Sequence, residues 1–242
     1  VAFNPDGSFV VRSYAGDHWR ECKDYVRRVL GIADDKPPSR ETMPTVTLRK
    51  TTRAASDAVL RRWERCVPIA GTPAEMYLRY RGLSYDGDAL RYCHQQGAMA
   101  ALVTHAETGA AMSIQWTLLD EHGRKLKRLF MKDKPTQDGV VRLSADDEVT
   151  FGLAITEGVE TALASPFRPI WACLNAGNME RFPVLPGVEA LTIFADNDAS
   201  GTGQRAANQC GRRWHEAGRE VAITISDVTG RDMADEAERE AA

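Results

Sequence analysis

The apolar positions along the chain change rhythm three times, and each rhythm predicts a different kind of structure. At the N-terminus, short apolar pairs flank Asn4-Pro5-Asp6-Gly7, which reads as strand, turn, strand over Val1 to Ser13. Asp17 can then cap a helix whose Trp19, Cys22, Tyr25, Val26, Val29 and Leu30 share one face. Residues 32–47 carry three prolines and no period, and read as a linker. A second amphipathic helix runs through Val59, Leu60 and Trp63, with Arg53, Arg61, Arg62 and Arg65 on its other face. Thr72-Pro73-Ala74-Glu75 is a capping box with proline at the first helical position, where a missing N–H costs nothing. The helix it opens contains Met76, Tyr77 and Tyr80 and stops at Gly82.

From about Leu90 to Leu143 the pattern shortens to strands: AMAALVT, AMSIQWTLLD, a turn at Glu121-His122-Gly123, then KRLFM. These predict an antiparallel meander. After residue 150 the rhythm changes again. LAIT, IWACLNA, ALTIFAD and EVAITIS are four strand-length apolar runs, separated by helical stretches at Val159 to Ser165, Met179 to Phe182 and Gly203 to Ala217. Strands alternating with helices, and apolar at every position, predict a mostly parallel sheet covered on both faces. The fold class expected is α/β: a mixed α+β N-terminal domain, then a mostly parallel sheet flanked by helices. The boundaries expected are 1–31, a linker at 32–47, a domain at 48–150 and a second at 151–242.

Composition narrows the function classes. Of 242 residues, 43% are hydrophobic and 27% charged, near the averages for globular domains, which excludes fibrous and wholly disordered readings. No apolar run approaches a membrane span and no secretory h-region is present, so a soluble, cytoplasmic protein is expected. The cysteines at 22, 66, 93, 173 and 210 are odd in number and scattered, which argues against a disulfide framework and against zinc in this chain. The five histidines form no ligand pattern. The net charge of −3 hides an asymmetry: residues 151–242 hold eight Arg, no Lys and fourteen acids, whereas the first 150 are net +3. A basic half joined to an acidic half suits an enzyme that holds a polyanion beside cations; two solvated faces are the simpler account.

Ligands of open parallel sheets bind beyond the carboxyl ends of the strands. The first run ends in Glu157-Gly158, the third in Asp196-Asn197-Asp198, and the fourth leads through Thr229-Gly230-Arg231 to Asp232 and Asp235. Asp196 and Asp198, two apart in an extended segment, can point the same way. Oxygen-only ligation favours Mg²⁺ or Mn²⁺ over Zn²⁺, and such a site suits phosphoryl transfer. Singly, each acid has a simpler account as a helix-start acid or an Asx turn; recurrence at successive strand ends favours a site. The basic turn and strand before the acidic sheet (Arg124, Lys125, Lys127, Arg128, Lys132), with Arg142 further on, could guide phosphates, or form a solvated hairpin face. Trp63, Tyr77 and Tyr80 lie at helical spacing and are expected in the core.

These acids, at these strand ends, resemble the Toprim domain shared by bacterial-type DNA primases, type IA and II topoisomerases and several nucleases. EGVETALAS, LNAG and FADNDASGTGQRAA are similar to the Toprim domain of phage- and plasmid-encoded primases; GTPAEMYLRYRGL and the Gly139 to Leu143 segment resemble the domain preceding it. The resemblance implies Glu157 as general base, Asp196 and Asp198 as the metal-binding pair, and Asp232 as a further metal acid. Asp235 fits a wider Gly-x-Asp-x-x-Asp variant of the family's Gly-x-Asp-Pro-Asp ending. FVVRSYAGDHW resembles the tail of a zinc-ribbon module whose ligand cysteines are absent, so a chain of this kind is expected to start after them, and the missing initial Met agrees. The implied activity is synthesis of short RNA primers on single-stranded DNA from nucleoside triphosphates, in concert with a replicative helicase or other domains of a longer parent, without a membrane. No Walker A sequence is present. A metal-dependent nuclease, or a nucleic-acid-binding fragment inactive alone, remains the alternative.

Overall fold

A computed structural model describes residues 2–3, 9–10, 25–26, 28–29, 53–196 and 200–225. It divides into two compact units, Val1–Thr47 and Leu48–Ala242. In the first, β1 (Ala2–Phe3) and β2 (Phe9–Val10) form the antiparallel hairpin expected around Asn4-Pro5-Asp6-Gly7, with Phe3 opposite Phe9. Tyr25 and Val29 are helical, and both are exposed.

The second unit is organised by one ten-stranded sheet. Helix α1 (Arg53–Trp63) and the short strand β3 (Val67–Pro68) lead to α2 (Pro73–Tyr80). The Thr72 hydroxyl accepts from the Ala74 N–H, while the Glu75 carboxylate accepts from the Gly71 N–H, one residue earlier than a regular capping box. The meander follows as β4 (Leu90–Cys93), β5 (Ala98–His105), β6 (Ala111–Leu119), β7 (Lys125–Phe130) and β8 (Gly139–Arg142). Then come β9 (Gly152–Thr156), α3 (Val159–Ala164), β10 (Ile170–Ala172), α4 (Ala176–Arg181), β11 (Ala190–Ala195), α5 (Thr202–Glu216) and β12 (Glu220–Ile225). The last four strands are mutually parallel in the order β12-β11-β9-β10. The meander does not stand apart from them. β8 pairs antiparallel with β10 on one side and with β5 on the other, joining both halves into a single sheet.

Strand alternation sends the core to both faces. On one face α2 and α3 cover Met99, Val103, Val141, Ala154 and Ile170 in one continuous cluster. On the other, α4 and α5 pack Met179, Phe182, Cys210 and Trp214 against Ile155, Trp171 and Ile193, and α1 packs Val59 and Trp63 against Ala100, Ile114 and Trp116. The expectation of full coverage fails at β12, where Ile223 and Ile225 are exposed because this edge strand has a single strand neighbour. Tyr80 also departs from expectation: it is 63% exposed while Tyr77, three positions earlier, is buried. No described helix is long and apolar enough to cross a membrane.

The meander's turn sits hard against α2. Gly123 has φ +77°, and a Cβ there would lie 2.8 Å from the Met76 Cβ and 2.9 Å from the Pro73 carbonyl oxygen. Gly218 has the same φ with nothing within 4 Å. The two positions separate backbone strain from crowding. Gly123→Ala is expected to cost about 3 kcal/mol in urea unfolding, and Gly218→Ala only about 1 kcal/mol. Equal losses would show that the turn can yield to α2.

Candidate active site

The parallel register assembles the acids. Thr156, the last residue of β9, pairs with Phe194 of β11, so Glu157 and Asp196 leave adjacent strands at the same edge of the sheet, one register step apart. β12 ends in step with them, Ile225 opposite Ala195. Asp198, Asp232 and Asp235, also expected at this edge, lie outside the described residues. Among the described residues, no group of three His, Cys, Asp or Glu is close enough to hold a metal. Glu157 and Asp196 supply hard oxygen donors, and the nearest soft donor is withdrawn. Cys173, whose N–H donates to the Thr156 carbonyl, is fully buried, and burial together with the charges of Cys210 and Glu157 holds its thiol well above the usual range. A neutral buried thiol leaves a site suited to Mg²⁺ or Mn²⁺.

Local sequence explains how this edge is built. Gly158 precedes α3 with an ordinary φ of −111°, and a Cβ there would make only normal contacts at 3.6 Å and beyond. The fold therefore does not demand glycine beside Glu157. The Thr156 hydroxyl donates to the Gly158 carbonyl oxygen at 2.8 Å and fixes the turn. In LNAG, Leu174 takes φ +74° and Asn175 caps α4 by accepting from the Asn178 N–H. Buried Asn178 then donates to the carbonyls of Thr136 and Gly139 and accepts from the Asp138 N–H, pinning the loop before β8.

The basic residues do not form one patch. Arg142 is spent on the protein itself: it pairs with Asp146 at 2.6 Å, donates to the Thr104 hydroxyl and to the carbonyls of His105 and Ala106, and stacks over Trp171 at 4.3 Å. The phosphate contact expected at Arg142 thus gives way to a strut binding β8 to β5 and β10. Lys132 faces α1. Lys127 and Arg128 are exposed on β7. Arg124 and Lys125 line a cavity of about 420 Å³ with Tyr77, Tyr80, Arg81 and Gly123.

At this cavity stands a group that no sequence pattern announces. The Glu160 carboxylate, buried in the first turn of α3, accepts from the Tyr77 hydroxyl at 2.7 Å and from the Lys125 ammonium at 2.9 Å, both on Oε1. A β-bulge makes the second contact possible. Leu118 pairs with Lys127, and a regular register would set Leu126 opposite Leu119; the shift sets Lys125 there and leaves Leu126 exposed. Burial alone would push the Glu160 carboxyl up, but the Lys125 charge and the hydrogen bonds from Tyr77 and Lys125 outweigh it and hold the group below the usual carboxylate range. Tyr77 is raised, by burial first and then by the Glu160 charge. The basic turn is thereby tied to the helix that starts directly after Glu157.

Two known families match parts of the chain. Residues 152–242 match the Toprim domain, and residues 53–137 match a family described as a domain of unknown function (DUF7146). No curated protein matches the chain in sequence. The chain thus ends in a Toprim domain, the kind found in enzymes that process nucleic acids with bound Mg²⁺.

The Glu160 pair makes stability depend on pH. A carboxyl held low in the folded state contributes fully above the ordinary carboxylate range, and the contribution is lost as pH falls through the folded value. Lys125→Ala is expected to cost about 2 kcal/mol at pH 7, discounted from a fully buried pair because Lys125 is 37% exposed. Lys127→Ala should stay within about 0.5 kcal/mol of the unchanged protein. Urea midpoints should show the Lys125→Ala deficit shrinking on acidification, once Glu160 is protonated in both proteins. A deficit independent of pH would place the cost elsewhere than in the ion pair.

Proposed function

We propose that this chain is the core of a DNA primase, joining ribonucleotides on a single-stranded DNA template. The observation that supports polymerisation over cleavage is the cationic cavity tied to the catalytic edge. A nuclease has one polynucleotide to hold, whereas a polymerising site needs a second place for a nucleoside triphosphate. The cavity of Arg81, Arg124 and Lys125 has the volume of a small-ligand pocket, the charge to take a triphosphate, and an exposed tyrosine, Tyr80, at its rim.

In the proposed reaction Glu157 takes the proton of a ribose 3′-hydroxyl as its oxygen attacks the α-phosphorus of the incoming nucleotide. The new O–P bond forms as the bond to the β-phosphate breaks, and pyrophosphate leaves. Asp196, with Glu157, would hold the divalent cation, which when bound offsets the charge of the phosphates. Arg124 and Lys125 would orient the triphosphate, and Glu160 fixes the position of Lys125 by an ion pair.

The deciding assay incubates the chain with single-stranded DNA, labelled nucleoside triphosphates and Mn²⁺, and follows short products and template integrity together. Short labelled products with an intact template are expected. Glu157→Gln should lower synthesis by about 10²-fold or more while template affinity stays within about twofold. Template cleavage that disappears in Asp196→Asn, with no incorporation, would make the protein a nuclease.

Metal binding can be read without catalysis. Millimolar Mg²⁺ or Mn²⁺ should raise the thermal midpoint, by about 2.7 kcal/mol of stabilisation at a hundredfold excess over the dissociation constant. Asp196→Asn should abolish the rise. A midpoint that ignores both metals would remove the cation from this site.

A further inference from the structure

Helix α1 turns two faces to two tasks. Val59, Trp63 and Cys66 are buried against the sheet. Positions 58, 61 and 62 share one face of the helix, and Arg65 follows in the turn just beyond its end. That face opens on a cleft of about 450 Å³, where Arg61, Arg62 and Arg65 stand across from Lys132 and the floor is Trp116 and Met131.

Among the described residues, no carboxylate pairs with the charges in this cleft. Five cations elsewhere in the described residues have carboxylate partners: Arg79 with Glu75, Lys125 with Glu160, Arg142 with Asp146, Arg181 with Asp138, Arg219 with Glu189. Among the described residues none of the four cleft cations is ion-paired; Arg62 donates to the Gln95 side-chain oxygen at 3.0 Å, a neutral partner. The sheet extends the positive line. Lys127 is on the same face of β7 as Leu129, which pairs with Trp116. The extended strand from Lys127 to Phe130 covers roughly 10 Å and Lys132 follows in the turn beyond it, so the cations of this face are spread over several positions, as the successive phosphates of a strand require.

We propose that this cleft binds the phosphodiester backbone of a single-stranded polynucleotide, at a distance from the reacting edge; the inference rests on the nucleic-acid reading above and adds the path of the strand. The site is concave with an apolar floor, which a flexible single strand can enter with its sugars and bases against Trp116 and Met131. A duplex presents its phosphates on a stiff convex surface that the cleft does not match. Four strand spacings separate β6 from β9, roughly 19 Å across the sheet, so a strand held here could also run to the edge that carries Glu157.

The test is binding of a fluorescent twenty-residue oligo-dT, followed by anisotropy across a salt series, with no metal and no nucleotide present. Arg61→Glu with Arg65→Glu is expected to weaken binding at least tenfold at low salt. The slope of log affinity against log salt should flatten by about 1.4, since each phosphate of a single strand that is no longer neutralised removes about 0.7. Lys132→Gln should flatten it by about 0.7. If the double charge reversal fails to fold, Arg61→Gln with Arg65→Gln is read the same way, with a cooperative thermal transition as the check that it is folded. Unchanged affinity and slope in a folded variant overturn the proposal, as does failure of the unchanged protein to bind oligo-dT. Displacement of oligo-dT by a duplex as readily as by itself also overturns it. Arginine-dependent binding by a chain that cuts its template rather than extending primers refutes the primase reading and leaves this site standing.

Discussion

Glu160 is a carboxylate with almost no access to water, and it stays ionised because an ammonium and a phenol hydroxyl converge on one of its oxygens. Much of the arrangement around the sheet edge that carries Glu157 depends on that requirement. Lys125 is the first residue of β7, so the turn that leads into it has to lie against α2. That packing in turn leaves no room for a side chain at Gly123. Tyr77 must reach across from α2, so α2 and α3 share one face of the sheet and one core cluster. A single buried charge thus couples three elements from both halves of the second unit and sets Arg124, Arg81 and Tyr80 around one cavity.

Much of the fold was legible because it rests on local signals. The capping box of α2, the hairpin turn at Gly123 and the four apolar runs of the parallel sheet depend on residues close in sequence. Glu157 and Asp196 were legible for a related reason: parallel strands in register carry residues after the last apolar position to a common edge. Fusion of the meander with the parallel sheet was not. It depends on β8, four residues whose pairing with β5 and β10 leaves no trace in periodicity.

The candidate site was legible in part. Acids after strands stand out, but the fate of a basic residue depends on its distant neighbours. Arg142 reads as a free cation in sequence and is enclosed by Asp146, Trp171 and three oxygens of β5 and its turn. Lys125 reads like its neighbours and is set apart by a one-residue bulge. Arg61, Arg62 and Arg65 read as the solvent face of a helix; only the position of Lys132 and Trp116 turns that face into the wall of a cleft. Glu160 gives no signal, since an acid in the first turn of a helix is ordinary on dipole grounds.

The short seam at β8 has a consequence for how the molecule opens. This four-residue strand ties the two halves together, Gly139 and Val140 pairing with β5 and Val141 and Arg142 with β10. Sub-global opening normally follows boundaries with little buried apolar surface, and here the boundary between the two family matches is crossed by main-chain hydrogen bonds and a shared core. Amide protons within β8 therefore belong with the slowest-exchanging class. The edge that carries Glu157 and Asp196 inherits the cooperativity of the whole sheet rather than that of one half.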